Sequence, residues 1–200
     1  MIKFHTFMLI ATVFVTSQAL ATTGKEAEAA KIDAVEAIGC RVDAGAYIGF
    51  AMMLGDIDDG YRSRGWTKVD SHDPFLSEYR LPAPITVAGE KTSTIVFSGS
   101  GIAAVLDVAD PAPIALSEKI INSIPSREEA ARMFGLTPEQ AKKLPDNHQF
   151  RGERVVVDII QTNLDSNIKY KVRVVRSITN AKSYPGKTLV GCSYSLEPID

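Results

Sequence analysis

Ile168-Lys169-Tyr170-Lys171-Val172-Arg173-Val174 sets an apolar side chain at every second position and a basic one between. Successive side chains of an extended strand point to opposite faces, so this stretch has one dry face and one wet face. Such a strand belongs to an antiparallel sheet with one side on a core and the other toward water. The flanking sequence extends the reading. Arg154–Thr162 and Lys187–Leu196 are also rich in β-branched residues, and Ile168 opens a strand that runs to Ile178. Asp165-Ser166-Asn167 and Ser183-Tyr184-Pro185-Gly186 supply the turns. The result is a meander over about residues 153–197.

A second meander is predicted over about residues 85–108. Its strands are Ile85–Ala88, Thr92–Ser98 and Ile102–Val108, with turns at Gly89-Glu90 and Gly99-Ser100. The second turn fits a type II′ hairpin, with Gly99 at the position that needs positive φ. Trp66–Val69 and Ser77–Leu81 read as short strands before it, and Leu81-Pro82-Ala83-Pro84 interrupts the chain.

Helices are expected over about residues 27–55 and 114–144. Ile32, Val35, Ile38 and Val42 recur at helical spacing, and Gly39 is a weak point that predicts a break near Cys40. Ala44–Leu54 reads as a buried core helix whose Gly45 and Gly49 would let its backbone sit close to a neighbour. Leu116, Ile120, Ile121 and Ile124 predict a helix over 114–124. Ser126 with Glu129, and Thr137 with Gln140, are two capping boxes; Pro138 fits a first helical position and Gly135 a helix end. Helix, meander, helices, meander favours an α+β fold, with helices packed on one face of antiparallel sheet. The order suggests one α+β domain over 22–200, built as two helix-plus-meander halves (22–110 and 111–200), although no residue-level repeat connects them.

The N-terminus carries a different signal. Lys3 precedes the mostly apolar Phe4–Val15, and Ala19-Leu20-Ala21 offers small residues where a signal peptidase reads. Residues 1–21 are therefore expected to be a cleaved signal peptide, Thr22 the new N-terminus, and the location periplasmic or secreted. Removing that segment takes Lys3 and no acidic residue, so the net charge moves from −2 to −3. That balance gives no footprint for nucleic acid, and the apolar run is too short for a span of about 20 residues. In an oxidising compartment Cys40 and Cys192 are expected to pair, joining the first helical segment to the dry face of the last strand, which Cys192 shares with Val190, Tyr194 and Leu196.

No motif supplies a chemistry. Asp56-Ile57-Asp58-Asp59-Gly60 fails as a calcium loop, because Gly60 at the sixth position puts Trp66 at the twelfth. Ser71-His72-Asp73 precedes Pro74 and reads as a turn rather than a triad, and His148 falls in a loop. Ser98-Gly99-Ser100-Gly101 lacks the first glycine of a nucleophile elbow and is followed by a strand. No catalytic residue, metal site or cofactor is assigned. Partner-binding candidates are the Lys169, Lys171, Arg173 ladder and Trp66. The expected function is a non-enzymatic protein-interaction domain, such as an inhibitor, immunity or envelope-accessory protein, whose partner is another envelope or secreted protein. A hydrolase using His72 or His148, or a carrier of a small apolar ligand lined by Ala44–Leu54, are the alternatives.

Overall fold

The computed structural model describes residues 29, 31–54, 60–144, 149–162 and 167–199. The expected signal segment, Asp56–Asp59, His148 and Asp165-Ser166 lie outside the described residues. The strands are β1 (Thr67–Val69), β2 (Ser77–Val87), β3 (Glu90–Ser98), β4 (Gly101–Leu106), β5 (Arg151–Thr162), β6 (Lys169–Thr179) and β7 (Thr188–Ile199). They form one antiparallel sheet in the order β1-β2-β3-β4-β7-β6-β5. The two meanders thus meet through their last strands, with Ile102 opposite Cys192 and Ala104 opposite Val190. Helices α1 (Ala34–Ile38), α2 (Ala44–Leu54), α3 (Gly60–Ser63), α4 (Ala112–Ser117), α5 (Arg127–Met133) and α6 (Pro138–Ala141) complete an α+β fold.

The core lies between the sheet and α1, α2 and α4. Tyr47, Phe50 and Leu54 of α2 meet Ile95, Phe97, Ile102, Val190 and Tyr194 of the strands. Tyr47 stacks on Tyr194 with ring centroids 4.1 Å apart, and the Tyr194 hydroxyl donates to the Ala37 carbonyl at 2.6 Å. A smaller cluster of Val96, Val105, Tyr184 and Leu189 covers part of the opposite face.

Two aspartates divide the first helical segment. Asp33 accepts from the Val35 and Glu36 amides, and Asp43 from those of Gly45 and Ala46, so each helix has its own N-cap. Between them α1 ends in a Schellman turn, with Cys40 N–H donating to Ala37 O and Arg41 N–H to Glu36 O. The break falls where the sequence predicts it, but Cys40, not Gly39, takes the left-handed conformation, at φ 60°. A side chain there costs about 1–2 kcal/mol, and the bond to Cys192 holds it. The Cys40–Cys192 disulfide forms as expected, with Cα atoms 5.4 Å apart and a sequence separation of 152.

Beside it, Arg176 is buried on the helix face of β6. Its guanidinium donates to both Glu118 carboxylate oxygens, at 2.7 and 2.5 Å, and to the Ile38 carbonyl at 2.6 Å. The ion pair holds the Glu118 carboxyl below the usual carboxylate range. One side chain therefore ties β6 to the ends of α1 and α4.

That tie explains why the helix expected over 114–124 stops at Ser117. Lys119 turns left-handed at φ 57°, Ile120 N–H returns to Ala115 O, and Ile120 enters the core. Leu116 and Ile121 are left exposed. Both capping boxes form where predicted, at Ser126 and Thr137.

Four local expectations need correction. The β2–β3 hairpin turns on Ala88-Gly89, at φ 51° and 85°, rather than on Gly89-Glu90. Two positive φ values make it a type I′ turn, which suits strand twist. Gly99-Ser100 is the β3–β4 loop, but Gly99 lacks the positive φ of type II′; the Ser100 carbonyl is held by the Tyr194 amide at 2.7 Å, as an extension of the sheet. The two strands expected on either side of Pro82 and Pro84 are one strand whose ladder is interrupted between Arg80 and Ile85. Gly45 and Gly49 are not points of close backbone approach: a Cβ on Gly49 would be in ordinary contact with Ala29 at 3.7 Å, and one on Gly45 would meet the capping Asp43 carboxylate.

Candidate interaction surface

Lys169, Lys171 and Arg173 stand exposed on the face of β6 away from the helices. The register surrounds them with acids. Asp158 of β5 lies opposite Arg173, and Glu197 of β7 lies opposite Lys171. Lys171 Nζ is 3.7 Å from Asp158 Oδ1. Three cations beside two carboxylates leave little net field, and exposed pairs of this kind are worth about 0–1 kcal/mol. Trp66 is 8 % exposed and packs against Phe50, Tyr79 and Phe97, with the Arg64 guanidinium 5.3 Å from its ring centroid. Its indole keeps little surface for a partner.

The next strand outward presents more. α1 packs on β2, β4 and β7, and α2 on β7 and β6. Ile120 lies against Gly152 at the start of β5, so closely that a Cβ on Gly152 would collide with it. Beyond that contact every β5 side chain is exposed except the half-buried Val157. Val155, Val156, Ile159 and Ile160 are 45, 42, 52 and 66 % exposed. Ile159 is on the helix face, opposite Val172, and Ile160 on the open face, opposite Lys171. Val156 is an extra residue between the Val155–Val175 and Val157–Val174 pairs. This bulge puts Arg154 on the helix face and Asp158 on the open one. β5 ends the sheet, so its outer edge has no neighbouring strand among the described residues. Long apolar edges of this type are normally shortened, charged or covered in proteins that remain alone.

Two concavities flank the sheet. A trough of about 530 Å³ on the open face is floored by Gly101, Ala103, Ser177 and Ser193, with Asp73 and Arg151 among its other lining residues. A shallower groove beside α2 is lined by Ile48, Ala51 and Met52 together with Phe75, and it opens to solvent rather than enclosing an apolar ligand.

The Ser71-His72-Asp73 segment forms the predicted turn, in which the Asp73 amide donates to Ser71 Oγ and the Phe75 amide to Asp73 Oδ1. It also does something that chain proximity did not reveal. His72 Nδ1 is 3.0 Å from Glu78 Oε2, and the Tyr184 hydroxyl donates to the same oxygen at 2.9 Å. Ser71 Oγ is 3.3 Å from the Tyr184 hydroxyl. Glu78 is buried while His72 is largely exposed. Burial, with the Glu78 carboxylate alongside, pushes the Tyr184 hydroxyl up to about 12, against an opposing hydrogen bond from Ser71. The arrangement orients an imidazole whose Nδ1 is taken by a carboxylate. No group of three side chains suited to a metal ion occurs among the described residues, and no helix among them is long and apolar enough to cross a membrane.

Comparison with known protein families, with curated proteins and with solved structures finds no match to this chain.

Proposed function

We propose that the mature chain is an exported protein-interaction domain that takes its partner at the β5 end of the sheet and acts by binding rather than by catalysis. One observation carries the reading: β5 exposes apolar side chains on both faces, and beyond Arg151, whose backbone is bonded to Asn122 and Ser123, its outer edge has no neighbouring strand among the described residues. The signal-like N-terminus and the Cys40–Cys192 disulfide support an oxidising compartment, periplasmic or extracellular. An inhibitor, immunity or envelope-accessory role fits a domain of this kind. Because Asp158 and Glu197 offset Lys169, Lys171 and Arg173, the ladder adjusts partner choice rather than supplying most of the affinity.

The test is affinity capture from the native envelope fraction and medium, using chains beginning at Thr22 with and without Ile159→Lys or Ile160→Lys. A partner retained by the parent chain and lost from both variants is expected. Recovery of the same proteins by parent and variants removes the proposal. A full-length product that begins at Met1 and stays in the cytoplasm removes the export step.

The hydrolase alternative has one observation in its favour, the His72–Glu78 contact with Ser71 and Tyr184 nearby. Turnover of simple ester or peptide substrates that disappears in His72→Ala would select it over the binding reading.

A further inference from the structure

We infer that the trough on the open face of the sheet is a binding site in its own right, and that it takes a neutral carbohydrate through the hydroxyls of Ser98, Ser177 and Ser193. The inference does not depend on the partner surface proposed above.

The open face changes character along single strands. On β6 it carries Lys169, Lys171 and Arg173, and then Val175, Ser177 and Thr179. On β7, running the same way across the face, Glu197 and Ser195 give way to Ser193, Gly191 and Leu189. Long polar side chains suit a solvated sheet face. At the trough small ones replace them, and Leu76, Ile124 and Phe150 line it from segments outside the strands. Strand packing explains part of this floor: a Cβ on Gly191 would collide with the Ile102 carbonyl, and one on Gly101 would lie 3.0 Å from the Cys192 carbonyl oxygen. That packing does not require a hydroxyl at Ser98, Ser177 or Ser193.

The register spaces these three residues. Ser98 and Ser193 lie opposite Gly101 on its two neighbouring strands. Their Cα atoms are therefore two strand spacings apart, about 9–10 Å. Ser193 pairs with Val175 and Gly191 with Ser177, so Ser177 is diagonal to Ser193, at about 7–8 Å. All three serines are half-buried, and none of their hydroxyls has a hydrogen-bond partner among the described residues. Thr179 beside them differs, since its hydroxyl is spent on the Phe150 carbonyl at 2.9 Å.

These facts select the ligand. An apolar occupant would strip water from three hydroxyls and return no bond. An ion finds no excess of opposite charge. The charged lining residues among those described are Asp73 and Arg151, one of each sign, and Asp73 already accepts from the Phe75 amide and the Ser183 hydroxyl. A hydroxyl both donates and accepts, so a ligand rich in hydroxyls satisfies all three serines. Sugar rings also present C–H surface, which suits a floor of Gly101 and Ala103 beside Val96 and Phe150. The volume, about 530 Å³, falls in the range of about 300–1,000 Å³ usual for small-molecule sites. The lining runs across the sheet from Val96 of β3 to Arg151 of β5, a shape that linked rings fill better than one ring.

The experiment uses the mature disulfide-bonded chain. The probes are mono- and tetrasaccharides of glucose, mannose, galactose and N-acetylglucosamine, with galacturonic acid and glucosamine oligomers as anionic and cationic controls. Affinity is read by titration calorimetry, and location by amide shifts of Gly101, Ala103 and Gly191. At least one neutral tetrasaccharide is expected to bind with Kd of about 1 mM or tighter. It should shift those amides and lose about tenfold in affinity when Ser177→Ala and Ser193→Ala are combined. If that double variant fails to fold by urea denaturation, Ser98→Ala alone must weaken binding. Binding that ignores these substitutions overturns the site. No neutral sugar bound at about 1 mM, or preference for either charged oligomer, overturns the ligand class. A monosaccharide bound as tightly as its tetrasaccharide keeps the sugar and removes the linked rings. Ile160→Lys should leave sugar affinity unchanged, so failure here and failure of the β5 surface are read separately.

Discussion

The two ends of the sheet are made of similar residues and live in different surroundings. From β2 to β7, helices α1 and α2 press on one face, an aromatic cluster fills the gap, and Cys40 is bonded to Cys192. β5 alone carries five valines and isoleucines, yet four of them meet solvent. Apolar content alone therefore does not define a core; it defines a surface that something should cover. At one end the cover comes from the same chain, and at the other we assign it to a partner.

This contrast makes different demands on substitutions at the two ends. Phe50 is fully buried among Tyr47, Trp66 and Phe97, so Phe50→Ala should lower unfolding free energy by about 3–5 kcal/mol. Urea denaturation measures it, and a loss below about 1 kcal/mol would mean the covered end is not a packed core. Replacing both cysteines by alanine should cost about 2–5 kcal/mol, visible as a lower urea midpoint than that of the oxidised parent. No effect would show that α1 stays docked without its bridge.

The open face near β2 has an alkaline signature. The folded-state Tyr184 pKa, about 12, lies above the ordinary value of 10.0. The neutral phenol is thus favoured by the fold, its contribution is complete below pH 10, and it is lost as pH rises toward about 12. Tyr184→Phe should flatten the stability profile in that window. It should also cost about 1–3 kcal/mol at neutral pH, because buried Glu78 loses a donor. An unchanged alkaline profile would detach Tyr184 from that dependence. The smallest effect on stability belongs to β5. Ile160→Lys should shift unfolding free energy by no more than about 0.5 kcal/mol, since the side chain is already exposed. A loss comparable to that of Phe50→Ala would erase the distinction between the two ends.

Much of the framework was legible in the residues. The alternation of Ile168–Val174 fixes the orientation of β6, and period two from Val190 to Leu196 places Cys192 on the buried face. Ser126 and Thr137 mark their helix starts because capping chemistry is local. The errors arise where a distant group decides a local question. Leu116, Ile120, Ile121 and Ile124 have helical spacing, but Arg176, 58 residues from Glu118, anchors the end of α4 and Lys119 turns the chain away. His72 and Glu78 are close in sequence, yet nothing in their spacing reveals that Tyr184 brings a third group to the same carboxylate oxygen. Trp66 looks like a surface anchor beside a turn, and only the convergence of Phe50, Tyr79 and Phe97 makes it core. Val155-Val156-Val157 has the composition of a strand, but no local signal says that the helix cover ends before it.

The place of β7 in the sheet also sets the order in which the chain can mature. It seals the gap between the two meanders and carries Cys192, yet it is synthesised last. Until it emerges, β4 has an open edge, Tyr47 lacks the ring it stacks on, and Cys40 has no thiol to react with. The first half should remain sensitive to protease during synthesis and become resistant in one late step. A chain truncated before Thr188 would then persist as an unsealed precursor with a reduced Cys40, a substrate for quality control rather than a smaller functional domain.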